Sequence, residues 1–238
     1  MLARLHDSHG RVAIPGFYDS VREWSRSERQ YMARTGPSDA AILKNAQVKK
    51  GWGEPGYTIY ERTTLRPALT LNGITGGHQG PGVKAIIPAR AQAKLSVRLV
   101  PDQDPAQIAR LFRDHMARIT PPSVRAEVRV ISGARPALLD RKHPSMRAAS
   151  FAYGKAFGHA PVFLRSGGTL PVVSTFQRIL GIPTVLMGFG LPDDQIHAPN
   201  EKFHLPTFFN GIATSIWFLA AIGARALRAH GKCSERSW

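Results

Sequence analysis

The sequence predicts an α/β protein built in two parts, and two patterns support this prediction. Over residues 67–135, segments that alternate apolar and polar residues flank one amphipathic helix, as in a two-layer sandwich. From Ala137 onward, helices alternate with short apolar runs, which is typical of strands buried in a layered sheet. We therefore predict two domains, over residues 1–135 and 136–238.

The first predicted domain has the element order of the trailing part of a ferredoxin-like βαββαβ fold. Its start resembles the last turn of a helix, because Leu2 and Leu5 precede the helix-stopping sequence over 7–10. The following elements are predicted to be strands over 68–74, 94–100 and 125–131, and a helix over 105–120 before the last strand. The leading strand of such a fold would lie before Met1.

Within this domain, the pattern predicts which way several side chains point. Asp104 is the predicted N-cap of the helix, followed by a proline at the first helical position. Strict alternation in the strand over 94–100 directs Leu95, Val97 and Leu99 toward a core and Arg98 to the opposite face. Residues 11–66, punctuated by Gly and Pro, are interpreted as a linker insertion with one helix over 20–32.

The second predicted domain contains three helices and two apolar strands. Helices are predicted over 144–157, 171–180 and 203–228, and strands over 161–164 and 182–189. Gly158 and Gly181 follow two of the helices, at the position where a left-handed residue commonly ends a helix.

The charge balance is strongly basic, with a formal net charge of +16 and a pI near 10.9. Such a charge is typical of proteins that bind nucleic acids or anionic surfaces. The basic residues are scattered rather than clustered, however, which favours a solvated, arginine-rich surface. We predict no nucleic-acid partner, with nucleic-acid binding as an alternative.

Three features bear on the location of the protein. The single cysteine, Cys233, has no internal disulfide partner, which suits a reducing compartment. The N-terminus lacks the apolar run of a signal peptide. Residues 205–223 are apolar enough for a membrane span, but the polar Asn210, Thr214 and Ser215 within them favour a buried helix. We predict a cytoplasmic protein with no membrane partner.

Candidate functional residues lie in three places. His197 follows a Gly-rich turn, and imidazole is a preferred zinc ligand, although a loop histidine is commonly only a surface residue. The turn over 165–169 joins a strand to a helix, where two glycines and free N–H groups suit a carboxylate or an oxyanion. A plain turn is the alternative interpretation. Arg98 is either solvated or poised to pair with a carboxylate in a fork-like geometry.

Three stretches together resemble the M20 family of zinc peptidases, within its carnosinase-like dipeptidase group. They are residues 193–202, 165–171, and the Gly-rich run 76–84 that continues to 94–101. The resemblance implies that 1–135 is a truncated lid and dimerisation domain and that 136–238 is the C-terminal part of the catalytic domain. It also implies two zinc ions that share a bridging carboxylate and a water, with a glutamate as general base.

The resemblance further implies roles for individual residues. The last histidine ligand of the family matches His197, and the lid arginine that holds a substrate carboxylate matches Arg98. A usual lid threonine is replaced by Ala85. The substrate-contacting loop of the family matches Arg165, Gly167, Gly168 and Thr169.

The remaining zinc ligands and the general base of the family have no counterpart in this sequence. A His-x-Asp pair, a Glu-Glu pair, a further Asp and a lid histidine would all lie before Met1. We therefore expect a fragment that is inactive alone and contains no catalytic residue. The complete enzyme would hydrolyse dipeptides or similar amides with a free carboxylate, as a homodimer formed through the lid. The alternative is a non-catalytic dimerisation or interaction module that binds no zinc.

Overall fold

The computed structural model describes residues 1–167 and 170–234, with side chains described as far as Ala224. The chain forms two compact units, and each is described by itself. The first unit contains Met1–Ala137 and Leu164–Ser174. The second contains Leu138–Phe163 and Thr175–Trp238.

The described helices and strands alternate less regularly than the sequence predicts. In chain order they are a short 3-10 helix Leu2–Leu5, α1 Arg26–Thr35, α2 Asp39–Asn45, α3 Ile59–Thr64, β1 Ala68–Gly76, β2 Ala91–Arg98, α4 Pro105–Ile119, α5 Pro144–Phe157, α6 Pro171–Leu180 and α7 Leu205–Ser234.

A β-hairpin and one helix form the core of the first unit. β1 and β2 are antiparallel, with Leu69 opposite Val97 and a bulge after Leu71. The carboxylate of Asp104 accepts hydrogen bonds from the N–H groups of Ala106 and Gln107 at 2.8 and 3.1 Å, so it caps α4 as predicted. The buried core residues are Leu5, Val12, Ile14, Phe17, Leu69, Ile108, Met116 and Ile119, and the predicted inward-facing Leu95, Val97 and Leu99 pack against them.

The stretch over 11–66 is not an irregular linker but contains three helices. Their N-caps are Ser25, Ser38 and Thr58, and the side chain of each accepts a hydrogen bond from the backbone N–H of the third residue of its helix. A small core of Met32, Tyr60 and Leu65 holds this stretch together. The Gly and Pro residues separate short helices here, which explains why only one helix was expected.

Three predicted strands are absent from the described residues as paired strands. Residues 125–131, 161–164 and 182–189 have no ladder partner, and only β1 and β2 form a sheet in the described part of the chain. Among the alternating residues over 125–131 that were expected to face a core, Val128 packs against the core of the first unit, whereas Ala126 and Val130 are exposed. An alternating or apolar pattern is compatible with a strand, but a strand also needs a neighbouring backbone to bind.

In the second unit, α5 packs against α7. α5 contributes the buried Met146, Ala148, Ala149 and Ala152. Thr214 of α7 is fully buried and donates its hydroxyl hydrogen bond to the Asn210 carbonyl at 2.7 Å, which removes the cost of burying it. The left-handed Gly158 ends α5 and Gly181 follows α6, as the sequence predicts.

α7 is longer and more exposed than the predicted buried helix. The exposed apolar side chains along it are Leu205, Phe208, Phe209, Ile212, Ile216, Trp217, Leu219 and Ile222. In the described part of the chain, Leu205–Ala224 is the one stretch of helix that meets the length and composition of a membrane span, and a single such helix is weak evidence for a span.

Candidate substrate-binding turn and histidine loop

The turn that precedes α6 is held against α3 by one tyrosine. The hydroxyl of Tyr60 accepts a hydrogen bond from the N–H of Arg165 at 2.8 Å and donates one to the carbonyl of the same residue at 3.0 Å. Tyr60 is 8% exposed, and its burial raises the pKa of the phenol. The hydroxyl therefore keeps its proton at neutral pH, and it satisfies both backbone groups of Arg165.

Gly167 lies so close to α3 that no side chain fits there. A Cβ on this residue would stand 2.2 Å from the carbonyl oxygen of Thr63, far inside van der Waals contact. This glycine, predicted to approach substrate, is thus required for packing of the turn itself. Gly168 and Thr169, the other two predicted residues of the turn, lie outside the described residues.

The side chain of Arg165 is engaged by protein groups on α1 and just before it. Its Nη2 donates to Oε1 of Glu28 at 2.7 Å, and its Cζ lies 3.8 Å from the centroid of the Trp24 ring. The side chain is 22% exposed. The guanidinium thus pairs with one carboxylate and stacks on one ring, while its buried Nε has no hydrogen-bond partner in the described part of the chain, and the substrate contact expected of Arg165 stays a prediction.

α1 and α3 are themselves joined by an ion pair. The guanidinium of Arg29 donates to the two carboxylate oxygens of Glu61 at 2.5 and 3.1 Å, and the same carboxylate accepts the Thr58 N–H at 2.9 Å in a capping box. The hydrogen bond from Arg29 is the main reason that the pKa of Glu61 lies below its ordinary value. The two helices that hold the turn, α1 and α3, are therefore joined to each other by this ion pair. We call these two helices the platform.

This ion pair predicts a pH dependence of stability. The pKa of Glu61 is lower in the folded state than its ordinary value of 4.5. The ionised side chain therefore stabilises the fold fully above pH 4.5, and this stabilisation is lost as the pH falls through the pKa of the folded state. We expect urea unfolding of the wild type to show a loss of stability below about pH 4.5 that Glu61→Gln reduces. The exposed Glu23→Gln is the control, and equal acid profiles for all three proteins would contradict the expectation.

Arg98 lies at the end of β2, opposite Ala68 in the hairpin. It is exposed, on the face away from the core as predicted. Ala85 lies exposed in the segment between β1 and β2.

His197 lies on an exposed, strained loop of the second unit. Its φ is 64°, and Gln195 and Asn200 are also left-handed at 52° and 63°. The N–H of His197 donates to Oε2 of Glu201 at 3.2 Å. Non-glycine residues in this region persist only where their surroundings hold them, so the loop conformation is specifically maintained.

Asp194 is the residue that holds this loop, and sequence reasoning missed its role. It is 1% exposed, its Oδ2 accepts the Leu191 N–H at 2.6 Å, and its carbonyl accepts the Lys202 N–H at 3.0 Å. Both ends of the loop are thereby tied to one residue. The sequence does not distinguish Asp194 from the adjacent Asp193. In the structure Asp193 is exposed and pairs with Lys202 at 2.6 Å.

The described residues do not by themselves make a zinc site. Among the side chains described, those of residues 1–167 and 170–224, no group of three or more His, Cys, Asp or Glu is arranged to hold a metal ion. A catalytic zinc needs about three protein ligands. His197 supplies one imidazole in the second unit, whereas Arg98, Arg165 and Gly167 belong to the first unit.

Comparison with known proteins identifies close similarity to one peptidase family. Residues 22–220 match the model of peptidase family M20/M25/M40. The chain is 28% identical over 218 residues to a Cys-Gly metallodipeptidase, DUG1, of Candida albicans, covering 90% of this chain and 45% of that protein. It is also 28% identical over 214 residues to the human Beta-Ala-His dipeptidase, covering 89% of this chain and 42% of that protein.

Solved structures show the same relation. The di-peptidase Dug1p of Saccharomyces cerevisiae superposes with a TM-score of 0.79 at 26% identity, over 92% of this chain and 47% of that chain. Human carnosine dipeptidase 1 superposes with a TM-score of 0.78 at 26% identity, over 92% and 48% of the two chains. The chain therefore has an α/β fold that matches M20 dipeptidases and spans about half the length of these relatives.

Proposed function

This chain belongs to peptidase family M20/M25/M40, and from that premise we propose that it supplies the substrate-binding turn and one zinc ligand of a dipeptidase. The observation that carries the proposal is the match of residues 22–220 to the family together with relatives that are dipeptidases. The predicted site residues lie within that range. We propose dipeptides, or similar amides with a free carboxylate, as the substrates.

The chain's own residues would bind and orient the substrate. Arg98 presents a planar fork of N–H donors that suits a carboxylate. The turn over 165–169 precedes the N-terminus of α6, where backbone N–H groups suit the carboxylate of the substrate. The exposed imidazole of His197 is the proposed zinc ligand. Bound zinc, two ions in the complete enzyme, would polarise the peptide carbonyl and activate water.

The proposal places the remaining zinc ligands and the general base outside this sequence. The chain alone is therefore proposed to be inactive, because a lone histidine gives neither a closed metal site nor a base. We further propose that 1–135 is the lid and that 136–238 is the C-terminal part of the catalytic domain. Homodimerisation through the lid is supported by the hairpin β1–β2, whose outer edges have no partner strand among the described residues. A cytoplasmic location is supported by the single cysteine.

A chimeric enzyme tests this proposal. In it, this chain replaces the matching half of the Saccharomyces cerevisiae Cys-Gly metallodipeptidase, and hydrolysis of Cys-Gly and bound zinc are measured after purification. We expect hydrolysis and about two zinc ions per chimera, and neither from the 238-residue chain alone. A folded chimera, shown by circular dichroism, that retains no zinc would contradict the proposal. Hydrolysis by the chain alone would refute its inactivity.

The alternative function is a non-catalytic dimerisation or interaction module. The outer edges of β1 and β2, which have no partner strand among the described residues, favour it because a strand edge can pair with another chain. A chain that forms a stable dimer in sedimentation experiments while its chimera binds no zinc would support the module over the enzyme.

A further inference from the structure

We propose that Tyr60, Glu28 and Trp24 are positioning residues for the substrate-binding turn. The segment over 22–66 thus belongs to the site, because it holds the turn in place. This inference rests on the proposed function, because it concerns the same turn. It gives a function to a stretch that the sequence analysis interprets as a linker insertion. Three contacts join this stretch to Arg165 and Gly167.

The first contact is a hydrogen-bond pair from a single buried hydroxyl. Tyr60 binds both the N–H and the carbonyl of Arg165, at 2.8 and 3.0 Å, across 105 positions of sequence. A strand partner commonly satisfies two such backbone groups, but here a side chain takes its place. The direction of the backbone as it enters the turn therefore depends on one atom of α3.

The second contact fixes the side chain of Arg165. Its guanidinium stacks on Trp24 and pairs with Glu28, whose side chain is 18% exposed, against 22% for that of Arg165. An ion pair that is largely shielded from water, combined with stacking on the Trp24 ring, restricts rotation about the side-chain bonds of Arg165. The guanidinium thus anchors the turn to α1.

The third contact sets the distance between the turn and α3. The missing Cβ of Gly167 lets the backbone lie against the Thr63 carbonyl, one helical turn after Tyr60 on the same helix. The Arg29–Glu61 pair locks α3 to α1, so the three contacts act together through this platform. Arg165 and Gly167, held at three points, lead into the turn in one fixed orientation before the substrate arrives, which is what preorganised binding needs.

The competing explanation is that these contacts only stabilise the first unit and do not position the turn. Hydrogen exchange measured at individual amides distinguishes the two explanations. In the full chain, Tyr60→Phe removes one oxygen and keeps the ring, and Glu28→Gln removes one charge and keeps the shape. The matched control is Tyr153→Phe, which removes a similar hydroxyl bond, 2.8 Å to the Gly188 carbonyl, in the second unit. We expect Tyr60→Phe to speed exchange of the Arg165 amide by about tenfold, as loss of one hydrogen bond does. Exchange in the α4 core should stay unchanged.

The kinetic consequence is measured in the chimeric dipeptidase described above. We expect Tyr60→Phe and Glu28→Gln to raise KM for Cys-Gly by about tenfold with kcat within about twofold, because the turn orients substrate but does no chemistry. An unaltered Arg165 amide, a uniform rise throughout the first unit, or an unchanged KM would each overturn the inference. An inactive wild-type chimera would count against the proposed function instead, and the exchange result would then decide the positioning role.

Discussion

Replacing Gly167 with alanine is expected to detach the turn from α3 and to destabilise the first unit by about 3 kcal/mol, near the upper end for overpacking. The added Cβ would stand 2.2 Å from the Thr63 carbonyl oxygen. That oxygen belongs to the backbone of a capped helix, so it has no rotamer by which to move away. The helix or the turn has to shift as a whole.

The matched control for this substitution is Gly73→Ala in β1. A Cβ on Gly73 would meet no atom within 4 Å, so alanine is accommodated there. Urea unfolding followed by tryptophan fluorescence measures both variants against the wild type. Equal midpoints for the two variants would show that the close approach of Gly167 is not required by the fold. In the chimera, Gly167→Ala should also raise KM, because the displaced turn no longer meets the substrate.

Substitution of His197 is expected to abolish hydrolysis by the chimera while leaving the isolated chain as stable as before. Losing a direct ligand should cost more than the hundredfold that loss of an outer-shell partner can cause, so we expect activity to fall by more than about a hundredfold, with zinc lost as well. Asparagine is the suitable replacement, because the residue is left-handed with φ 64° and asparagine tolerates that conformation.

The control for this experiment is His159→Asn, an exposed histidine in the same unit. It should retain zinc and activity. A His197→Asn chimera with a full complement of zinc would remove His197 from the ligand set. A variant whose isolated chain unfolds more readily than the wild type would indicate a structural role in the loop instead of metal binding.

Several elements follow from local sequence and are present as predicted. α4 begins after Asp104 and α5 ends at Gly158, because capping and left-handed glycine depend on residues a few positions apart. β1 and β2 lie where alternation places them, and Arg98 faces away from the core. The family, too, was evident from motifs within the chain, and the match over residues 22–220 confirms it.

Other features depend on partners that are distant in sequence. The segment over 182–189 is apolar like a buried strand, yet strand formation needs a neighbouring backbone, and the described residues provide none. The short helices over 26–64 were not all predicted, because Gly and Pro interrupt the sequence between them. Their stability comes from packing as much as from helix propensity, and packing is not visible in the sequence.

The sequence by itself determined the N-cap of α4, the glycine that ends α5, the two strands of the first unit, the family and the candidate residues Arg98, Gly167 and His197. Only the tertiary structure decided what surrounds these residues. It binds Arg165 to Glu28 across 137 positions and to Tyr60 across 105, and it buries Asp194 while its neighbour stays exposed. The physical reason is that hydrogen bonds and burial act between atoms close in space, whereas propensity and periodicity record only neighbours along the chain.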